Sequence, residues 1–402
     1  MGASGTLRIL TFSSLYPNAV QPRHGVFVEE RLRHLLAGGG VSATVLAPVP
    51  WFPWRHPRFG RYAQYARVPE EETRHGVRVL HARYPVVPKI GMSAAPWLMA
   101  KAMLPVLRSL EAREADFDLI DAHYFYPDGV AAVWLGERLG KPVMVTARGS
   151  DINWIPRHRL PRLQILWAAR RAKAVVAVSN ALGERLADLG VARERITVLR
   201  NGVDQAVFCP EPELALALGR ELKLDGPVIL SVGNLIESKG HHIAIEALKY
   251  LDQGTLLIVG EGPMKEALRK QADASGLGDR VRLLGAVEHD ELPRYYSLAD
   301  VLVLASSREG MPNVVLEALA CGTPVVACDV GGVREVVAEE VAGLVIPARK
   351  ADALAQAVGK LLAKLPSSEA VRRYAQRFSW DETSAGQRVL FRRLCGGTEV
   401  RR

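Results

Sequence analysis

Glu309 and Glu317 lie eight positions apart in the segment Ser306-Ser307-Arg308-Glu309-Gly310-Met311-Pro312-Asn313-Val314-Val315-Leu316-Glu317. The apolar run Val301–Leu304 precedes them and reads as a buried strand. Gly310 permits a tight turn, and Pro312 or Asn313 suits the first positions of a helix. Gly322 ends that helix and Pro324 opens the next strand. A helix that starts at the C-terminal edge of a parallel sheet sits where open α/β proteins bind ligands. Its N-terminal N–H groups and positive dipole end would hold a diphosphate, with the backbone from Gly310 to Asn313 facing it. Glu317 falls about one turn past Asn313, so both carboxylates can face that anion site without touching. Carboxylates so placed accept hydrogen bonds from sugar hydroxyls. Spacing alone equally fits a loop charge and a solvated helix residue; the strand–glycine–helix setting favours a site.

Other residues need weighing against this segment. His123 ends the strand Leu119–Ala122, and a strand's C-terminal end is where a site would lie; a packed loop histidine fits equally. Gly260-Glu261-Gly262 begins like a dinucleotide fingerprint, but Lys265 occupies the third glycine's place. Asp116-Phe117-Asp118 precedes a strand without further carboxylates nearby, which fits a solvated strand start rather than a magnesium site. His241 and His242 are adjacent and therefore do not share a helix face. Cys209, Cys321, Cys328 and Cys395 form no C-x-x-C pair, which points to reduced core thiols and no zinc site.

Two series of apolar strands alternating with helices must position these residues. Leu7–Phe12, Ala43–Leu46, Leu119–Ala122, Val143–Thr146, Val175–Val178 and Thr197–Leu199 form the first; Val228–Val232, Thr255–Val259, Val281–Leu283, Val301–Leu304, Val325–Ala327 and Gly343–Ile346 form the second. Such alternation predicts parallel sheets covered on both faces, hence two doubly wound α/β domains in tandem. The Pro-rich stretch Phe208–Pro212 marks the boundary, giving domains at 1–205 and 206–375, with a basic, helical segment at 376–402 that packs back on the first domain. Residues 51–90 read as loops and edge strands. Hydrophobic residues at 49% and charged residues at 24% exclude a disordered chain. A net charge of +9 favours anionic partners. Arg157, Arg159, Arg162, Arg170, Arg171 and Lys173, interleaved with Trp154, Leu160 and Trp167, fit either a peripheral contact with an acidic membrane or a solvated helix face. The run from Ala94 to Leu107 is too short and too interrupted to span a bilayer. The expected location is cytoplasmic, either free or in peripheral contact with the inner membrane face.

The chain resembles glycosyltransferase family 4, retaining enzymes of the GT-B fold, in its polysaccharide-biosynthesis branch of the teichuronic-acid and exopolysaccharide type. The 309–317 segment is similar to the family's Glu-x7-Glu signature. Leu15-Tyr16-Pro17 with His24-Gly25-Val26-Phe27-Val28 is similar to its N-terminal glycine loop, and Thr146-Ala147-Arg148-Gly149-Ser150-Asp151 to its Thr-x-His-Gly-x-Asp stretch. Asn201-Gly202-Val203-Asp204, Val232-Gly233-Asn234 with Lys239-Gly240, Gly260-Glu261-Gly262-Pro263 and Gly331-Gly332-Val333-Arg334-Glu335 follow in the family's order. The resemblance implies two Rossmann-like domains facing each other across a cleft. It implies a nucleotide diphosphate sugar of the UDP or GDP series as donor, a glycan or polyprenyl-diphosphate-linked acceptor, no metal, no further cofactor and no nucleic acid. By resemblance, Glu309 orients the donor sugar and Glu317 binds the ribose. Asn234, Lys239, Gly310, Met311, Pro312 and Asn313 hold the donor. Gly25, Val26 and Phe27 form the acceptor-side phosphate loop, and Arg148 and His123 join Glu309 at the reaction centre. Two positions depart from the family pattern. Asn234 stands where members often carry Arg, leaving more of the diphosphate charge to Lys239 and the helix end. Arg148 replaces the family's His, cannot serve as a base near neutral pH, and suits phosphate or an acidic acceptor instead. The rivals are a sugar-nucleotide epimerase or phosphorylase of the same shape and a non-catalytic nucleotide- or glycan-binding protein; the intact glutamate pair speaks against the last.

Overall fold

Strand-length apolar runs separated by helices leave each strand's backbone to pair with neighbours from elsewhere in the chain, and the computed structural model shows the result as two units. One comprises Met1–Arg200 with Trp380–Arg402, the other Asn201–Ser379. The structure describes residues 6–56, 58, 60–86, 91–112 and 116–396.

The first unit is built on an eight-stranded sheet. From edge to edge its strands are Ile196–Val198, Ala174–Ala177, Val143–Ala147, Leu119–His123, Leu7–Phe12, Val41–Leu46, Val77–Leu80 and Glu71–Arg74. Every pairing is parallel except the last, which is an antiparallel edge. Leu7–Phe12 lies in the middle with Leu119–His123 beside it, so the chain leaves these two neighbours in opposite directions. In open α/β sheets such a reversal is where ligands bind, at the C-terminal ends of the two strands. Ile9, Val28, Leu32, Leu35, Val45 and Phe391 close the core on one face. Phe391 comes from the C-terminal helix Trp380–Leu394, which packs on the helix Val26–Ala37 and bonds Leu35 O through Arg388 Nη1 at 3.3 Å.

The second unit carries a six-stranded, wholly parallel sheet in the order Val281–Gly285, Thr255–Val259, Val228–Val232, Val301–Leu304, Val325–Cys328, Gly343–Ile346. Its reversal lies between Val228–Val232 and Val301–Leu304, the two strands that lead to Asn234 and Glu309. Two Rossmann-like halves of the GT-B type are the architecture.

Among the helices that escaped the sequence reading, three matter most. Ala95–Ala112 tolerates Pro96 in its first turn, where the missing N–H is spare, and buries Met99, Met103, Leu107 and Leu110 at helical spacing despite Pro105. Arg61–Arg67 is helical within the stretch expected to be loops and edge strands, of which residues 57, 59 and 87–90 lie outside those described. Pro212–Glu221 is a helix because Pro212 stands at its start, where proline initiates rather than breaks. The division between units falls at Arg200, ahead of the Pro-rich stretch, since the Val203 N–H donates to Phe378 O at 2.9 Å within the second unit. Of the cysteines expected in the core, Cys321 and Cys328 are buried, whereas Cys209 is half-buried and Cys395 exposed; all four are free. No helix among the described residues is long and apolar enough to cross a membrane.

Candidate functional site

In the second unit the strand Val301–Leu304 runs into the turn at Glu309-Gly310, and the helix Asn313–Ala320 follows with Pro312 as its cap residue. Pro312 offers no side-chain cap; its carbonyl takes the Val315 N–H at 3.1 Å, and the Asn313 and Val314 N–H groups precede that first bonded turn. The Gly332 N–H donates to Gly310 O at 3.0 Å and holds the turn from behind. Asn201 fixes the helix start: its Nδ2 donates to Asn313 Oδ1 at 2.9 Å and its backbone N–H to Met311 Sδ at 3.3 Å.

Lys239 arrives from the neighbouring strand Val228–Val232. The Ser307 N–H donates to Ser238 O at 2.8 Å, while Arg349 donates to Ala305 O at 2.7 Å and to Glu237 O at 2.9 Å. These bonds sew the two loops together and set Lys239 Nζ 2.7 Å from Glu309 Oε1. Asn234 is exposed on the same loop. The Gly260-Glu261-Gly262 turn explains itself without a cofactor: a Cβ on Gly260 would lie 1.9 Å from Gly233 O, so glycine is needed for two turns to pack.

Glu317 is not a solvated helix residue; it is only 8% exposed. Its Oε2 accepts from the buried Tyr296 hydroxyl at 2.7 Å, and His289 Nε2 stands 3.4 Å from Oε1. Burial and the adjacent Glu317 charge push the Tyr296 hydroxyl well above its usual range. Phe208 packs edge-on against His289 with ring centroids 5.0 Å apart. The two glutamates thus have separate partners, one a lysine and the other a tyrosine–histidine pair. Tyr296 and His289 were not legible as site residues, because nothing in their local sequence distinguishes them.

In the first unit Gly25 caps the helix Val26–Ala37 with φ 74°. A Cβ there would lie 2.4 Å from Leu15 C and O, so the loop after Leu7–Phe12 admits only glycine. Val26 opens the helix, and the Phe27 ring lies 5.2 Å beneath the Arg148 guanidinium carbon. Arg148 Nη2 donates to His123 Nδ1 at 2.7 Å, and His123 Nε2 donates to Asp121 Oδ2 at 3.2 Å. Phe27, His123 and Arg148 are therefore brought together. His123 is 1% exposed with both ring nitrogens engaged, and burial takes its pKa down to about 4, so it is neutral and acts outward only through Arg148. Burial, then repulsion from Arg31, lowers the Arg148 pKa from its ordinary value.

Two carboxylates behind this cluster were given no role in the sequence reading. Asp151 accepts the backbone N–H groups of Phe125, Gly149 and Arg148 at 2.7, 2.7 and 3.1 Å, clamping the loop that carries Arg148. Asp128 takes the Ser14 N–H and, at 3.0 Å, its hydroxyl. Burial pushes Asp128 up to about 7.

Comparison with known proteins places this geometry. Residues 25–207 match the family model for Glycosyltransferase Family 4, and residues 219–378 that for Glycosyl transferases group 1. A putative teichuronic acid biosynthesis glycosyltransferase of Bacillus subtilis is 32% identical over 88% of each chain. Among solved structures, sucrose-phosphate synthase from Thermosynechococcus elongatus aligns with a TM-score of 0.79 at 22% identity, covering 98% of this chain and 100% of the other. Anabaena HepE in complex with UDP aligns at 0.72 and 21%, covering 96% and 98%. At these identities the structural likeness is one of fold.

Proposed function

This chain belongs to glycosyltransferase family 4, and from that premise we propose that it transfers a hexose, with retention, from a UDP- or GDP-sugar to a glycan or polyprenyl-diphosphate-linked acceptor of a cell-surface polysaccharide. The observation that carries the reading is the Lys239–Glu309 pair at 2.7 Å beside the N-terminus of the helix Asn313–Ala320, which no side chain caps. An incoming diphosphate competes with Glu309 for the Lys239 ammonium and meets the helix N–H groups and the Asn234 amide. The freed Glu309 carboxylate then accepts hydroxyls of the donor sugar, and Glu317 accepts those of the ribose. As the bond to the sugar breaks, charge develops on the departing diphosphate, where these donors are already in place. Lys239 and the helix end supply that positive charge, so turnover needs no divalent cation. The departing phosphate oxygen takes the acceptor proton, which leaves neutral His123 to hold Arg148, and Arg148 contacts an anionic acceptor. A thermal-unfolding panel of UDP-, GDP- and ADP-sugars tests the donor. A ligand that binds only the folded state adds about 2.7 kcal/mol at a hundred times its Kd. One base series should raise the midpoint; a flat panel overturns the donor reading.

The first unit also offers a face for the lipid-linked acceptor's membrane. Gln164 Nε2 donates to Ser93 O at 2.9 Å, which joins the helix Arg159–Arg171 to the start of Ala95–Ala112. Trp97, Trp154, Leu160 and Leu163 are exposed there by 40–58%. Lys101 lies over Trp97 and Arg157 over Trp154, and residues 91–110 and 152–172 contain no acidic side chain. Aromatic and aliphatic bodies flanked by cations suit an anionic lipid surface.

A further inference from the structure

A chain of buried polar groups runs through the first unit from the C-terminal helix to Arg148. Arg31, on the helix Val26–Ala37, donates from Nε to Gln387 Oε1 at 3.0 Å. Gln387, on the helix Trp380–Leu394, donates from Nε2 to Asp121 Oδ2 at 2.7 Å. That same oxygen accepts from His123 Nε2, and His123 Nδ1 accepts from Arg148. Arg31, Asp121, His123 and Gln387 are each 1% exposed. The chain closes on itself, because Phe27 under Arg148 and Arg31 at the other end are four positions apart on one helix face.

Each link fixes the orientation of the next. Gln387 must turn its oxygen to Arg31, which only donates, and its NH2 to the carboxylate. The carboxylate then fixes the His123 proton on Nε2, and only an unprotonated Nδ1 can accept from Arg148. A direct Arg31–Asp121 ion pair would neutralise the carboxylate that orients His123; the glutamine keeps the two apart while bonding both. Asp121 Oδ1 and Arg31 Nη2 have no hydrogen-bond partner among the described residues, so Asp121 leans heavily on the contacts it does make.

We propose that Gln387 is a positioning residue for Arg148, acting through Asp121 and His123, so that the C-terminal helix sets the geometry of the acceptor side. The inference rests on the reading of Arg148 as an acceptor contact, yet the relay itself is measurable without any substrate. The charged groups facing His123 are Asp121, Arg148 and Arg31.

The test is long-range proton–nitrogen NMR of the full chain labelled with nitrogen-15 histidine, from about pH 5 to about pH 8, the window in which histidine ordinarily changes charge. Wild-type His123 should stay neutral with its proton on Nε2 throughout. Gln387→Leu removes a donor from Asp121, whose charge then falls on His123 alone. Its Nδ1 signal should move towards the protonated position within the window, and the contact with Arg148 is lost. In Gln387→Glu, burial and the like charge of Asp121 favour a protonated carboxyl and the Arg31 guanidinium an ionised one. Protonated, it replaces the amide in both roles and the His123 signal should match wild type; ionised, it has no proton for Asp121 and the signal should depart. The other histidine signals report whether each variant is folded. A His123 signal in Gln387→Leu superimposable on wild type across the window overturns the proposal. Should that variant not fold, a Gln387→Met signal superimposable on wild type across the window does so. A relay that responds as expected, in a chain whose Arg148 variants transfer normally, would leave this inference standing and remove the acceptor reading instead.

Discussion

Lys239→Met should uncouple phosphate recognition from nucleoside recognition. Methionine keeps the unbranched stem of Lys239 and removes only the ammonium. In the unliganded chain that ammonium pairs with Glu309 at 2.7 Å, with the two side chains 27% and 11% exposed. A partly exposed pair of this kind contributes at most about 1 kcal/mol to stability, so the unfolding midpoint should fall by a few degrees at most. A hydrogen bond from a charged donor to the diphosphate is worth about 1.5–3 kcal/mol, roughly ten- to a hundred-fold in affinity. The Glu309 carboxylate, no longer countered, then faces the phosphates and adds to the loss. Calorimetric titration with the matching nucleoside diphosphate and with the bare nucleoside separates the effects. The diphosphate should lose affinity and the nucleoside should not. Adding Glu309→Gln to Lys239→Met should recover part of the diphosphate affinity by removing the stranded charge. Equal losses for both ligands would mean that the loop had merely been distorted. Unchanged diphosphate affinity would refute the assignment of Lys239.

Glu317→Gln keeps an oxygen for the Tyr296 hydroxyl and should weaken ribonucleotide binding about ten-fold with little change in stability. Glu317→Ala should also destabilise the fold by about 1–3 kcal/mol, because it leaves that buried hydroxyl unpartnered. Nucleotide affinity unaltered in both would remove the ribose role. Asp128, raised to about 7 in the folded chain, holds its proton where the unfolded chain releases it near about pH 4, so its contribution to stability declines as pH rises from about 4 to about 7. Asp128→Asn should flatten that part of the denaturation-versus-pH curve; parallel curves for wild type and variant would contradict the buried-carboxyl assignment. Vesicles containing phosphatidylglycerol should bind the chain and pure phosphatidylcholine vesicles should not. Arg159→Gln with Arg162→Gln should weaken that binding about thirty-fold at about 1 kcal/mol per charge. Equal binding to both vesicle types would exclude the charged face.

The parallel sheets were legible because buried strands declare themselves as short apolar runs between helices. The turn and helix that follow Val301–Leu304 were legible because Gly310, Pro312, Asn313 and Gly322 each carry a local backbone meaning. Ala95–Ala112 was not, since its prolines and Lys101 mask an apolar face that is plain once Met99, Met103 and Leu107 are seen buried together. Glu317 was singled out in the sequence but its environment was not: Tyr296 and His289 reach it from other elements, and no spacing rule joins them. Gln387 and Asp121 are 266 positions apart, and their contact exists only because the C-terminal helix returns to the first unit. Arg148 stood out as a departure in a recognisable stretch, whereas its partner His123 could not be separated from a packed loop residue without the fold.

The most direct test supplies the purified chain, in EDTA, with each UDP- and GDP-sugar in turn and polyprenyl-diphosphate-linked saccharides, and follows products by mass spectrometry. The account predicts one donor series that yields free nucleoside diphosphate together with an acceptor heavier by one hexose, and loss of both products in Lys239→Met. Release of neither product from any donor, or release that appears only when magnesium is restored, would contradict it.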